Sequence, residues 1–176
     1  MRNVLKSGLF VSMLCAVGAA CAANQPMHNV ASLHAGGSFP DSSDFGSAYR
    51  MGFCASLDYA TRLGRESKWF AFGTLGYNTF QPKEGDERTY IGNFDADARW
   101  YFGVPGVKTS GYLGLGPGVY WNKDGDVKVG ADIAVGGDFP VGNNWSILAD
   151  IDQHLINDEG GTAFLTLKVG AAYWFR

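Results

Sequence analysis

Asp150, Asp152 and His154 occupy alternate positions of one short segment, so an extended chain puts all three on one face. A row of two carboxylates and an imidazole could ligate a metal or arm a hydrolytic dyad. Successive members of such a row lie about 6–7 Å apart along a strand. One ion cannot easily be gripped by all three unless neighbouring strands contribute, so the spacing assigns no metal and no catalytic residue. Gly114, Gly116 and Gly118 imitate a phosphate-cradling loop, but they alternate within a strand-like segment and no helix follows. They fit better as a glycine stripe that makes room for large side chains opposite. Asn122, Asp124 and Asp126 imitate the start of a calcium loop, but its sixth position is Val127 rather than glycine and its twelfth is Ile133. Cys54 falls on the same face as the polar residues and fits inert packing rather than a nucleophile. No cofactor is expected from these patterns.

The elements that carry these residues are strands. Eight alternating segments run over residues 30–39, 47–61, 68–80, 88–102, 109–121, 126–139, 145–155 and 162–175, separated by Gly-, Pro-, Asn- and Asp-rich breaks. Asp124-Gly125 predicts a two-residue hairpin loop. Most segments reach the roughly 9–11 residues that a tilted strand needs to cross a bilayer. The near-regular spacing predicts an all-β chain closed as an eight-stranded antiparallel up-and-down barrel.

Alternation gives the barrel two faces. The polar one carries Asp58, Asp95, Asp97, Asp132, Asp138, Asp150, Asp152 and His154 against Arg50, Arg62, Arg99, Lys128 and Lys168. The other is apolar, and its aromatics sort by height. Tyr59, Trp69, Trp100, Phe102, Phe139, Trp145, Tyr173 and Phe175 fall at one end, and Tyr49, Tyr77, Tyr90 and Trp121 at the other. Two aromatic belts around an aliphatic middle match two membrane interfaces, whereas a soluble core has no reason to sort its aromatics. The polar face therefore points into the lumen. Eight strands leave just enough interior for side chains, so the expectation is a paired, side-chain-filled lumen. Phe70 and Phe72 break the alternation of the third segment.

Residues 1–22 stand apart. Arg2 and Lys6 precede an apolar run from Leu9 to Ala20, and Ala20-Cys21-Ala22 offers small residues for cleavage near Ala22/Ala23. The segment reads as a secretory signal peptide, leaving residues 23–176 as one barrel domain. A lipid-modified Cys21 is the alternative reading. Losing Arg2 and Lys6 takes the formal net charge from −3 to about −5, which argues against a nucleic-acid partner. With Cys15 and Cys21 in or beside the leader, Cys54 has no partner for a disulfide.

The C-terminal Lys168-Val169-Gly170-Ala171-Ala172-Tyr173-Trp174-Phe175 resembles the β-signal of bacterial outer-membrane barrels, with Lys168, Gly170, Tyr173 and Phe175 in its characteristic places. Arg176 departs from it, because that signal usually ends on the aromatic. Segments 111–121 and 130–152 resemble the small outer-membrane barrel family that includes the OmpA membrane domain and OmpX. The resemblance implies an outer-membrane location with both termini periplasmic. It also implies contact with outer-membrane lipid and lipopolysaccharide, assembly by the barrel-insertion machinery, and a monomer. The acidic loop residues Asp41, Asp44, Glu84, Asp86, Glu87, Asp124, Asp126, Asp158 and Glu159 would then face outward, with Lys83, Arg88 and Lys123 among them. The functional expectation is a non-enzymatic structural or surface barrel that passes small solutes slowly at most. The acidic excess in the lumen leaves a narrow cation-preferring channel as the alternative. A lipid-modifying enzyme comes third: lipid A deacylases resemble this chain in size and fold, but their His-x-Ser pair is here His154-Leu155-Ile156.

Overall fold

The computed structural model describes residues 29–175 apart from residues 86 and 143. The leader with its cleavage site, Cys15, Cys21, Asp86 and Arg176 lie outside the described residues. Nine strand elements follow one another: β1 (Asn29–Pro40), β2 (Tyr49–Arg50), β3 (Gly52–Arg62), β4 (Trp69–Pro82), β5 (Thr89–Phe102), β6 (Ser110–Asn122), β7 (Val127–Pro140), β8 (Trp145–Ile156) and β9 (Ala163–Phe175). A short helix α1 (Ser43–Ala48) lies between β1 and β2. The two-residue β2 pairs with β4, β3 pairs with β1 and β4, and from β4 to β9 each strand pairs antiparallel with the next; β1 pairs with β9 from Asn29↔Phe175 to Pro40↔Phe164. The eight walls close on themselves, and only the two-residue β2 has a single partner. The fold is an eight-walled up-and-down transmembrane barrel, with β2 and β3 sharing one wall. Residues 29 and 175 meet at one end, the base, and α1 sits at the other, the mouth. Strand bounds match the expected segments to within about two residues, because each boundary carries its own turn chemistry.

The apolar face points outward along every wall. Leu33, Leu57, Leu115 and Val169 form part of its middle and are 56–65% exposed. In water such a girdle would be an aggregation surface; in hydrocarbon it is the solvated state. Tyr59, Trp69, Phe102, Phe139, Trp145 and Tyr173 ring the base side of the girdle, and Trp145 packs on Tyr173 with centroids 5.0 Å apart. Trp100 pairs with Trp69 in the same ring and packs edge-on against Phe102. Tyr77 and Tyr90 pack together near the mouth, where Trp121 lies over Gly92.

One wall departs from the simple alternation. Arg50 pairs with Gln81 and Cys54 with Asn78, so four steps on one strand face three on the other. The extra residue is a β-bulge at Met51–Phe53. Gly52 has no room for a Cβ against the Thr79 carbonyl, and Thr79 Oγ1 occupies the broken ladder, 3.0 Å from Phe53 N and 3.1 Å from Phe53 O. A one-residue shift swaps faces. Arg50 therefore points outward and is exposed, while Tyr49 turns into the mouth beside Phe45 and Phe80. Both reverse the sequence expectation, which carried the alternation straight through Met51.

The loop after β6 also differs. Asn122 N–H donates to Asp126 O, closing a three-residue loop with Gly125 at φ +82°, and Asn122 Oδ1 accepts from the N–H groups of Asp124 and Asp126. The side chain of Asn122 overrides the two-residue turn that Asp-Gly favours. At the next loop of the mouth Asp158 is pushed up by partial burial, but hydrogen bonds from Thr162, Gly161 and Gly160 hold its carboxyl below the usual range.

The outward face gives a depth-dependent prediction. Leu115→Arg, at mid-wall, should cost about 2–4 kcal/mol in vesicle unfolding titrations, and Val127→Arg, at the mouth end of β7, about 0–1 kcal/mol. Equal costs would contradict the placement of the girdle.

Candidate functional site

The lumen is layered, and the layers follow from strand height. At the base, Val30, Phe70, Phe72, Tyr101, Tyr112 and Trp174 form an apolar cluster. Phe70 lies 5.0 Å from Tyr101 and 5.9 Å from Trp174 by ring centroids. The turn after β5 folds across it, with Trp174 against Gly106, which sits at φ +72° where a Cβ would be strained. At the mouth, Phe80, Ile91, Tyr120, Ile156 and Phe164 form a second cluster, with Phe45 of α1 and Tyr49 packed on it. Phe80 meets Phe45 at 4.8 Å and Phe164 at 5.4 Å. Phe70 and Phe72, which broke the sequence pattern, are thus part of the lower seal.

Between the seals lies the charged layer. Asp58, Asp95, Asp97, Asp132, Asp150, Asp152, His154, Arg99 and Lys168 are all buried there, as their alternation predicts. Arg99 Nη2 is 3.1 Å from Asp97 Oδ2, and its guanidinium lies over the Phe72 ring at 4.0 Å. Gly114 leaves the space that the Arg99 stem fills. Lys168 pairs with Asp152 and reaches Ser56 Oγ at 3.5 Å. Tyr112 donates to Asp150. The glycine stripe of β6 makes room as its spacing suggested, since a Cβ at Gly118 would collide with Asp95 and one at Gly116 with Asp97; Gly136 of β7, which the sequence reading did not single out, does the same for Tyr112 and Asp150.

Four expected members stand elsewhere. Arg50 is turned outward by the bulge. Lys128 keeps the inward register but lies beyond the upper seal, exposed at the mouth. Asp138 lies at the base, where Oδ2 accepts the Gly106 N–H and ties the turn to β7. Arg62 is only half-buried, at the base end of β3, with its guanidinium 5.2 Å from the Phe70 ring centroid.

Sequence reading missed His34 and Ser32. The signal was available in β1, where Ser32, His34 and Ser38 alternate with Leu33, Ala35 and Gly37. His34 bridges two acids, with Nδ1 2.7 Å from Asp150 Oδ2 and Nε2 3.1 Å from Asp58 Oδ2. Ser32 Oγ is 2.9 Å from the same Nε2. Serine, histidine and aspartate thus stand in the order of a hydrolytic triad. Asp150 Oδ2, however, lies off the line of a hydrogen bond from Nδ1, and Asp58 competes for Nε2. Ser32 is itself buried between the two seals. The lumen cavity beside Cys54, Asn93, His154 and Lys168 has a volume of about 10 Å³. That is room for one water. The arrangement can hold charge and protons.

At the C-terminal strand, Tyr173 points outward and stacks on Phe175 at 6.2 Å, while Gly170 faces His34 with no room for a Cβ. The last strand keeps a simple alternation, with Lys168 and Gly170 inside and Tyr173 and Phe175 outside.

No family model matches this chain, and comparison with curated proteins finds no match. Solved structures do match. Neisserial surface protein A is 14% identical, with a TM-score of 0.65 over 86% of this chain and 100% of that one. Ail of Yersinia pestis, solved with the heparin analogue sucrose octasulfate, is 16% identical, with a TM-score of 0.57 over 86% and 100%. The N-terminal β-barrel domain of Pseudomonas aeruginosa OprF is 14% identical, with a TM-score of 0.57 over 86% and 98%. The chain shares the fold of these small eight-stranded barrels.

The layer makes a direct prediction. Arg99→Ala strands buried carboxylates and should cost on the order of 3–5 kcal/mol in urea unfolding in lipid vesicles. Arg50→Ala removes an exposed charge and should stay within about 0.5 kcal/mol. Comparable losses would refute the inside–outside assignment of the two arginines.

Proposed function

We propose that this chain is a non-enzymatic outer-membrane barrel whose lumen is a structural plug rather than a pathway. The observation that carries this reading is the layering: a charged stratum held between an aromatic seal at the base and another at the mouth. An ion crossing would have to displace Phe70, Tyr101 and Trp174 at one end and Phe80, Phe164 and Tyr120 at the other. Ail, which shares the fold, is named as an outer membrane protein, which supports the location. In this reading both termini are periplasmic, α1 and the acidic loops face outward, the girdle contacts outer-membrane lipid and lipopolysaccharide, and the protein works as a monomer. Loops of a few residues leave it a compact wall element of the envelope.

The acidic excess favours a second reading, a narrow cation-preferring path. Planar-bilayer recording of the refolded protein separates the two. The plug predicts no steady unitary conductance, and a double variant Phe80→Ala/Phe164→Ala predicts brief openings. Steady cation-selective openings of the unaltered protein would establish the channel instead.

Assembly supplies a further test. Phe175→Ala should lose about 1.5–3 kcal/mol of anchoring and still refold in purified lipid. If Tyr173 and Phe175 are also read by the insertion machinery, membrane levels in cells should fall more than the refolding yield does. Unchanged membrane levels of Phe175→Ala would remove Phe175 from the recognition signal.

A further inference from the structure

Six aspartates of the charged layer face three cationic partners, Arg99, Lys168 and His34, so one-to-one pairing leaves three acids over: Asp95, Asp132 and one of the two that share His34. Arg99 pairs with Asp97, Lys168 with Asp152, and His34 lies between Asp58 and Asp150. Asp95 and Asp132 have no lysine or arginine within ion-pair distance among the described residues, and both face His154. His154 Nδ1 lies 3.2 Å from Asp132 Oδ1 and 4.0 Å from Asp95 Oδ2. The three residues come from β8, β7 and β5, so no local spacing brings them together. All three are at least 97% buried, and Asp95 Oδ1 and Asp132 Oδ1 have no hydrogen-bond partner. Two enclosed carboxylates with unpartnered oxygens are costly unless a positive charge joins them.

We propose that Asp95, Asp132 and His154 bind one divalent transition-metal ion of the zinc class inside the barrel, between the charged layer and the upper seal. The ligand set suits such an ion: one imidazole nitrogen and two carboxylate oxygens converging on one point, with ligand atoms within 4.8 Å of one another. Bonds of about 2.0–2.2 Å place neighbouring ligand atoms roughly 3.3 Å apart. The His154–Asp132 separation already has that value, Asp95 has to close on His154 by less than about 1 Å, and no two ligand atoms are more than 4.8 Å apart. The dication neutralises Asp95 and Asp132 and leaves the Arg99–Asp97 and Lys168–Asp152 pairs in place. Tyr120 OH, 3.2 Å from Nδ1, keeps Ala131 O at 3.3 Å as its alternative partner when the nitrogen turns to the metal.

An outer shell is in place. Asn93 donates to Asp95 Oδ2, and Asn78 Nδ2 donates to Asn93 Oδ1 at 2.9 Å. Such partners orient a ligating carboxylate. His34, Asp58 and Asp150 also gather within 4.8 Å, but there the two acids address opposite nitrogens of one ring. That geometry is a bridge rather than a chelate, and it serves as an internal control.

The test is to refold the protein into liposomes with Zn²⁺, remove loose ions with a weak chelator, and measure zinc per folded chain. Folding is scored by the gel shift between unboiled and boiled samples. The unaltered protein and His34→Gln should retain about one Zn²⁺ each. Asp132→Asn and His154→Gln should retain none, and Asn93→Ala should bind about 10–100-fold more weakly. If the ligand variants fail to fold, the melting temperature of the unaltered barrel decides: Zn²⁺ should raise it and Mg²⁺ should not. No retained zinc in the folded protein, equal retention by Asp132→Asn, or an equal response to Zn²⁺ and Mg²⁺ would overturn the site.

Discussion

A closed barrel of eight walls has to fill its own interior, and this chain fills it largely with charge. Seven aspartates, Arg99, Lys168 and two histidines are buried among the described residues. A carboxylate removed from water costs several kcal/mol unless it is paired or hydrogen-bonded, so the interior is stable only as a connected network. Most of the remaining architecture can be understood from that requirement. The glycines of β6 and β7 give up side chains so that Asp95, Asp97, Arg99 and Tyr112 can reach across the lumen. Where the aromatic seals touch the charged layer, Tyr112 and Tyr120 bring hydroxyls that meet a carboxylate and an imidazole, and Phe72 and Phe164 offer ring faces to Arg99 and His154.

The outer surface obeys the opposite requirement. Nothing in hydrocarbon can satisfy a polar backbone group, so every wall must be paired, and the β1–β9 ladder completes the circuit. The exposed leucines and valines contribute solvation by lipid rather than a core. The bulge at Met51–Phe53 shows how the two surfaces are reconciled near the mouth: one added residue exchanges Tyr49 for Arg50, delivering an aromatic to the upper seal and a cation to the outside.

The barrel, its strand bounds and the inward or outward sense of almost every strand residue were legible because the side-chain period of a strand is local. Asp95, Asp97, Arg99, Asp150, Asp152, His154 and Lys168 were recognisable as lumen residues for that reason. What was not legible depends on height and on contacts across the lumen. Alternation cannot say that Lys128 clears the seal or that Asp138 stops at the base turn. It could not foresee the bulge either, since Gly52 alone does not announce one. Phe70 and Phe72 broke the pattern because apolar residues belong inside when they cap a charged layer. The convergence of Asp95, Asp132 and His154 needs three strands whose relative register no single segment contains.

The central claim is that the lumen is sealed at both ends, and Cys54 reports on it without any substitution. Its thiol is buried on the inner wall, level with Gly36 and Asn78 and below the upper aromatic cluster. The direct measurement is the labelling of Cys54 by a small, membrane-impermeant, positively charged thiol reagent in the liposome-folded barrel, read by peptide mass spectrometry. The sealed lumen predicts no modification of Cys54 in the folded protein and complete modification after denaturation. Rapid labelling of Cys54 in the folded barrel would mean that water and cations reach the charged layer, contradicting the plug.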